Sequence, residues 1–210
     1  MGLGIGDNLT ASFEFAKNGL VGYWARWVIL IVLSCIPIVN FITFGYLVKI
    51  YKGVDVAPEL EGYGGMLVDG IKLFIIGFVY ALIPIIVMVI GVSFLETGVE
   101  MGAMDTGLMV ILVGLVLGLI FSLVAMVGYI RFAKEGEFGE GFNFRAIFAT
   151  IEEIGWEHYI LSYIALIIVV CIVAAIASLI PIIGWLLMLI ITPLLILWQG
   201  KFFENLYSCA

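Results

Sequence analysis

Charged side chains are scarce in this sequence. Of its 210 residues, 12% are Asp, Glu, Lys or Arg and 64% are hydrophobic, whereas ordinary soluble domains carry roughly 25% charged and about 45–50% apolar residues. A soluble fold of this size could not bury so much apolar surface. Four apolar runs, 71–95, 107–132, 158–180 and 182–203, each exceed the roughly 20 residues that a helix needs to cross a bilayer. The composition therefore excludes a soluble domain and predicts an all-α polytopic membrane protein.

Ionisable residues are also missing from the interiors of these runs. Lys72, Arg131 and Lys201 stand at the ends, where a long cationic side chain can reach the headgroup region. Proton relays keep carboxylates or histidines at bilayer depth because the chemistry requires them. Their absence argues against a proton-coupled transporter. No acid, base or nucleophile is grouped with another, so we expect no enzyme and no catalytic residue.

Residues that bind metals or nucleic acids are equally sparse. The sequence has one histidine, His158, and its cysteines, Cys35, Cys171 and Cys209, are far apart. Metal sites need several such ligands at close spacing, so the glutamates beside His158 are interpreted as part of a solvated turn. The net charge of −7 argues against a nucleic-acid partner, which requires a basic patch, although local basic clusters exist. We therefore expect no cofactor, no metal and no nucleic-acid partner.

The number of spans depends on the apolar segment 23–51, which contains Pro37. It forms either one helix kinked at Pro37, which gives five spans, or a short hairpin, which gives six. Each helix of that hairpin would have about 14 residues and a length of roughly 21 Å, less than the ~30 Å hydrocarbon core. Length therefore argues against six, unless the first helix extends back towards Lys17 or the pair enters the membrane only partway.

The basic residues favour six spans. Lysine and arginine concentrate in cytoplasmic loops, and six spans place all nine of them on one side of the membrane. Five spans would separate Lys17 and Arg26 from Lys49. We therefore expect six transmembrane helices, arranged as three hairpins in the plasma membrane, with both termini in the cytoplasm.

An amphipathic stretch precedes each predicted hairpin on the cytoplasmic side. Apolar residues recur there at helical spacing, and such helices can lie in the membrane interface. The three sets are Leu9, Phe13, Ala16 and Leu20; Leu60, Tyr63, Leu67 and Ile71; and Phe144, Ile147, Phe148, Ile151 and Ile154. Glycines at 62, 64 and 65 weaken the middle helix. We expect a single membrane domain, residues 1–210, with repeat units 7–55, 56–136 and 137–210.

Two of the five prolines are expected at the corners of hairpins. Proline lacks the N–H that a helix interior needs, and it restricts the residue before it. Pro37 is followed by Asn40, and Pro181 is followed by Gly184. Both segments therefore indicate a tight turn between apolar helices.

Pro84 has a different setting, because it lies about halfway along the run 71–95. We expect it to break or kink a span instead of ending it. The carbonyl near Tyr80 would then lose its helical partner, and broken helices can line binding sites in transporters.

Small residues form a stripe along the fourth predicted span. Such stripes let helix backbones approach closely in lipid, although they can also line a narrow pore. The stripe consists of Gly107, Gly114, Gly118, Ser122 and Ala125. We interpret it as a surface for helix packing.

Several stretches resemble a known family. They are "SFEF", "IPIVNFITFGYLVKIYKGV", "PELEGYGGMLVDGIKLFIIGFVYALIP", "RFAKEGEFGEGFNF" and "LIPIIGWLL". Together they are similar to an uncharacterised, mainly archaeal family of multi-span membrane proteins. The family is more distantly similar to the membrane domain found beside some glycerophosphodiester phosphodiesterases. The resemblance implies the fold and a membrane location, and it implies no activity.

Two functions from different classes remain open at this point. The first is a non-catalytic accessory or scaffold protein that contacts lipid through its interfacial helices, with a membrane-protein partner or a second copy of itself. The second is a transporter or channel for a weakly polar or hydrophobic solute, which the repeat and Pro84 favour.

Overall fold

The chain folds into helices throughout the part that the structure covers. The structure is a computed structural model that describes residues 4–97, 103–180 and 183–209. Within these ranges the chain forms eight α-helices, and a short 3₁₀ helix, Phe138–Phe142, lies between the fifth and the sixth of them. The α-helices are α1 Ile5–Leu20, α2 Trp24–Cys35, α3 Asn40–Tyr51, α4 Tyr63–Thr97, α5 Ala103–Glu135, α6 Phe144–Ile154, α7 Trp156–Ser178 and α8 Ile183–Tyr207. The predicted all-α class is confirmed.

Four helices, α4, α5, α7 and α8, are long and apolar enough to cross a membrane. Helices α1 and α2 are bent by 100° at the break between them and add a fifth crossing if they form one broken span. Helices α2 and α3 have 12 residues each, so each is about 18 Å long and too short to span the ~30 Å core. The helices indicate a multi-pass membrane protein, but the predicted count of six spans is not confirmed.

The segment 23–51 contains two separate helices. Helix α2 ends at Cys35 and α3 begins at Asn40, so Pro37 lies in the connection between them. The N–H of Asn40 donates to the Ile36 carbonyl at 2.8 Å, which starts the new helix. The Arg26 guanidinium, near the beginning of α2, donates to the Ala57 carbonyl at 3.3 Å. The beginning of α2 therefore lies beside the chain that follows α3.

The other predicted corner lies between α7 and α8. Pro181 is outside the described residues. Gly184 lies in the first turn of α8, and a Cβ atom added there would be 2.0 Å from the Ala177 carbonyl oxygen. Gly184 therefore marks a close approach of α8 to α7.

The three amphipathic stretches have different structures. The first and third form the separate helices α1 and α6, but residues 63–71 are the first turns of α4. No separate middle helix is present among the described residues, because the glycines at 64 and 65 do not interrupt α4. In α1, Ala16 and Leu20 are buried as expected, whereas Phe13 is 39% exposed and the polar Asn8 and Ser12 are buried instead.

The backbones of α3 and α4 touch where they cross. A Cβ atom added to Gly70 would lie 1.7 Å from the Phe41 carbonyl oxygen, and one added to Gly45 would lie 1.8 Å from that of Met66. No side chain fits at either position unless the helices separate. These two glycines therefore set the distance between α3 and α4.

The most extensive core lies towards the end of the bundle where α3, α5 and α8 finish. It contains Tyr51, Ile130, Phe132 and Phe202, each at most 2% exposed. The opposite halves of α4 and α5 pack against each other and expose apolar side chains such as Val89 and Met109, which are 62% and 69% exposed. Polar and aromatic contacts therefore concentrate at one end of the bundle. The exposed apolar side chains of α4 and α5 towards the other end form a surface that can contact lipid chains.

The α3–α4 crossing gives a test with a matched control. Gly70→Ala should lower stability by about 3 kcal/mol or more, because overpacking costs 1–3 kcal/mol even where side chains can yield, and here the obstacle is backbone. Gly65→Ala lies in the same helix with open space around it, so it should leave stability unchanged or slightly raised. Thermal unfolding in detergent measures both, and equal melting temperatures would contradict the close crossing.

Candidate functional site

A buried carboxylate joins several elements at the well-packed end. Glu204 in α8 is 3% exposed. Its Oε2 atom accepts from Lys201 Nζ at 2.8 Å, and its Oε1 atom accepts from Lys134 Nζ at 3.2 Å and from Ser208 Oγ at 2.7 Å. Lys201 Nζ also donates to the Val54 carbonyl at 2.9 Å. We call Glu204, Lys134, Lys201 and Ser208 the Glu204 cluster.

The Glu204 cluster is a structural connection. It links α5, α8 and the segment after α3, and Lys201 Nζ also lies 5.4 Å from the centroid of the Phe15 ring of α1. Gly53 leaves room for the carboxylate, with φ of +85° and a Cβ position 3.1 Å from Glu204 Oε1. A carboxylate with three donors is held in its charged form. These donors make the carboxylate a weak base.

A second polar network holds the loop between α5 and α6. Arg131 Nε donates to Glu140 Oε2 at 3.1 Å, and Arg131 Nη2 donates to the same oxygen. Asn143 Nδ2 donates to Glu140 Oε1 at 3.0 Å, and Asn143 Oδ1 accepts from the Ala146 N–H at 3.2 Å, which caps α6. The Arg131 guanidinium and the Asn143 amide hold the pKa of the Glu140 carboxyl below its ordinary value. This network is also structural.

A hydrogen bond from Tyr80 connects α4 to the 3₁₀ helix. Its hydroxyl donates to the Gly141 carbonyl at 2.9 Å, and a Cβ atom added to Gly128 of α5 would lie 2.6 Å from the same oxygen. Helix α4 continues through Pro84, whose ring faces α5, 3.8 Å from a Cβ position at Gly118. Tyr80 and Pro84 therefore lie within one continuous helix, and Tyr80 contributes its side chain to a loop contact.

A groove with a volume of about 420 Å³ lies between α3, α4 and α5. We call it the α3–α5 groove. Its walls include Leu47, Leu73, Phe74, Phe78 and Ile85. Apart from the hydroxyls of Tyr51 and Tyr129, its lining side chains are hydrocarbon. It is an apolar, open groove on the side of the helices.

A neighbouring cavity of about 270 Å³ lies between α4 and α5 beside Pro84 and Ser122. Gly77, Ala81 and Tyr129 border both this cavity and the α3–α5 groove. Most hydroxyls in the two linings have partners: Tyr51 contacts Met126 Sδ at 3.9 Å, and Ser122 donates to the Leu119 carbonyl at 2.7 Å. These apolar cavities can hold a hydrophobic molecule but offer no charged group to it.

The predicted packing stripe faces α4. A Cβ atom added to Gly114 would lie 2.5 Å from Met88 Cγ, and one added to Gly107 would lie 2.9 Å from the Gly91 carbonyl oxygen. Gly118 has more room, and Ser122 borders the cavity beside Pro84. The structure thus brings the predicted residues Tyr80, Pro84, Gly114, Gly118 and Ser122 to the contact between α4 and α5, whereas Pro37 and Asn40 lie elsewhere.

Sequence reasoning missed Glu204 and Tyr129. The i, i+3 spacing of Lys201 and Glu204 at the end of an apolar run was a usable signal for an ion pair. The pairing of Glu204 with Lys134 had no local signal, because the two residues are 70 positions apart in the sequence. No group of three metal-binding side chains is found within the described residues, and His158 joins no such group.

Residues 29–182 match a family described as a protein of unknown function, DUF4013. The chain belongs to this DUF4013 family. A search of curated proteins gives no match, and a search of solved structures gives none either. Membership agrees with the resemblance to an uncharacterised membrane family, and it assigns no activity to the Glu204 cluster or the groove of this DUF4013 protein.

The Glu204 cluster can be tested with one charge removal. Glu204→Gln should lower the stability of the DUF4013 protein by about 3 kcal/mol, because breaking a buried ion pair leaves uncompensated charges behind. Glu135→Gln removes an exposed carboxylate at the end of α5 and should change stability by less than about 0.5 kcal/mol. Thermal unfolding in detergent compares them. Equal melting temperatures for the two variants would show that the cluster does not hold the helices together.

Proposed function

We propose that this DUF4013 protein is a non-catalytic accessory or scaffold protein of the membrane that works in contact with lipid. One observation carries the proposal. The buried carboxylate Glu204 is bound by protein donors, while the cavities are apolar and open towards the surface. Such an arrangement offers hydrophobic surface to a neighbour, and the linings of the α3–α5 groove and of the cavity beside Pro84 contain no Asp, Glu, His, Lys or Arg.

In the proposed orientation the protein lies in the plasma membrane, and both termini are in the cytoplasm. Arg26 and Lys49 contact the segment 57–61, and Lys134 and Lys201 meet at Glu204. These contacts gather basic residues at one end of the bundle, which the positive-inside rule assigns to the cytoplasm. Helices α2 and α3 then form a re-entrant hairpin that returns to the cytoplasmic side, so the four long helices still give an even number of crossings.

Thiol labelling tests this orientation. In a background without the native cysteines, Asp105→Cys should react with an impermeant thiol reagent in intact cells, because the beginning of α5 would face outwards. Gly139→Cys, between α5 and α6, should react only after the cells are permeabilised. Both positions are exposed. The reverse labelling pattern would overturn the proposed orientation.

The second candidate is a transporter or channel for a weakly polar or hydrophobic solute. The cavity of about 270 Å³ beside Pro84 and Ser122 favours it, because it lies along two helices that are long enough to cross the membrane. Uptake of a lipophilic solute into proteoliposomes that is abolished by filling this cavity with Gly118→Leu would support the second candidate. Uptake that matches protein-free liposomes would argue against it.

Lipid titration tests the first proposal. A lipid that binds the folded state raises stability by RT ln(1 + [L]/Kd), which is about 2.7 kcal/mol at a lipid concentration of 100 Kd. Phosphatidylglycerol added to the purified protein in detergent should therefore raise its melting temperature in a saturable manner. The control is an equal concentration of additional detergent, which should give no saturable rise. If the melting temperature does not respond to phosphatidylglycerol, the protein has no stabilising lipid contact and the proposal fails.

A further inference from the structure

The Tyr129 hydroxyl is the unusual polar group of the α3–α5 groove. The Tyr51 and Tyr80 hydroxyls contact Met126 and Gly141, but no hydrogen bond is found for the Tyr129 hydroxyl within residues 4–97, 103–180 and 183–209. Gly77 makes room for it, since a Cβ atom there would lie only 2.4 Å from Tyr129 Oη. A donor without a partner in an apolar wall favours a ligand with one hydrogen-bond acceptor and much hydrocarbon.

The groove is long enough for an extended hydrocarbon chain. Its lining follows α4 from Leu73 to Ile85, a distance of about 18 Å at 1.5 Å per residue. Its rim residues Phe74, Phe78 and Ile85 are 47%, 51% and 43% exposed. Because α4 and α5 are both long and apolar enough to span the membrane, the molecules that reach this rim are lipids, and their chains can enter from the side.

The polar end of the groove lies near the membrane surface. Tyr129 precedes Arg131 by two residues, about 3 Å along the helix axis, and Arg131 is paired with Glu140 of the loop outside the span. Tyrosine is enriched at this depth, where the glycerol linkages of lipids lie. Lys72 and Lys52 are the sequence neighbours of the lining residues Leu73 and Tyr51 and are themselves outside the lining. Their long side chains can reach an anionic headgroup at this depth, although Lys72 also lies 4.0 Å from Asp69.

We propose that the α3–α5 groove binds one hydrocarbon chain of an anionic membrane glycerolipid, with the Tyr129 hydroxyl donating to an oxygen of its glycerol linkage. The chain lies along α4 from Leu73 towards Ile85, and the headgroup lies towards Lys52 and Lys72. This inference rests on the proposed lipid-contacting function and gives it a location. The site differs from general lipid contact because it is concave and supplies a hydrogen-bond donor.

The test uses phosphatidylglycerol with a diazirine in its acyl chain, crosslinked to the purified full-length protein and mapped by mass spectrometry. In the wild type, the label should concentrate on α3, α4 and α5 residues of the groove. Ala81→Phe fills the groove and should reduce this label at least tenfold. The matched control, Ile86→Phe, adds the same ring to a position that is 55% exposed outside the groove lining, and it should leave the label unchanged.

Tyr129→Phe tests the polar contact. The loss of one neutral hydrogen bond should weaken phosphatidylglycerol binding about fivefold without moving the label, and unchanged binding would overturn the role of Tyr129. Leu47→Phe fills the groove from α3, and it replaces Ala81→Phe if that variant has a lowered melting temperature. Excess unlabelled phosphatidylglycerol should compete with the probe, whereas equal competition by hexadecane would overturn recognition of a glycerolipid.

The outcomes separate this inference from the proposed function. If the label is spread evenly over the lipid-facing helices, and neither Ala81→Phe nor Leu47→Phe alters it, the groove is not a lipid site. Should phosphatidylglycerol still raise the melting temperature of these variants, the lipid-contacting function survives without the groove. A wild-type protein that shows neither a stability rise nor localised labelling would overturn both.

Discussion

The helices are held at a common end by one buried carboxylate. Glu204 receives hydrogen bonds from Lys134 of α5 and Lys201 of α8, and Lys201 also binds the chain after α3. A carboxylate so far from water is stable in its charged form only when its partners are fixed in place. The ends of α5 and α8 and the segment 53–54 must therefore lie at one level. This arrangement fixes the level at which α3 ends, while the glycine crossing sets the distance between α3 and α4.

The membrane explains why the polar contacts lie at one end. Hydrocarbon cannot satisfy polar groups, so the ion pairs of Arg131 and Glu204 lie where α5 and α8 finish, and the Tyr80 hydroxyl in the middle of α4 is bonded to the Gly141 carbonyl. Towards the other end, small residues such as Gly91, Gly107 and Gly114 let α4 and α5 approach closely. One end of the bundle thus holds the ion pairs, and the outward surface of α4 and α5 is left to lipid.

Residue patterns predicted the features that depend on composition and local spacing. Apolar runs predicted the four long helices, the apolar spacing from Phe144 to Ile154 predicted α6, and Pro37 marked the connection between α2 and α3. The orientation and the repeat remain predictions. Local patterns could not give the continuity of residues 63–71 with α4, since glycines at 64 and 65 disfavour a helix. Packing of Met66 and Gly70 against α3 overrides that preference.

The candidate groove was harder to predict for a similar reason. Tyr129 is an ordinary tyrosine near the end of a span, and nothing next to it in the sequence shows that its hydroxyl lies beside Gly77, 52 positions earlier. That proximity depends on the α4–α5 contact, and the third wall of the groove depends on the glycine crossing that brings α3 against α4.

A bulky residue at Gly45 or Gly70 would move the α3 wall, whereas one at Gly77 would displace the Tyr129 hydroxyl without moving the wall. The width of the groove and the position of its donor are therefore set by different glycines. The shape and the polarity of the groove can therefore be altered independently by substitution.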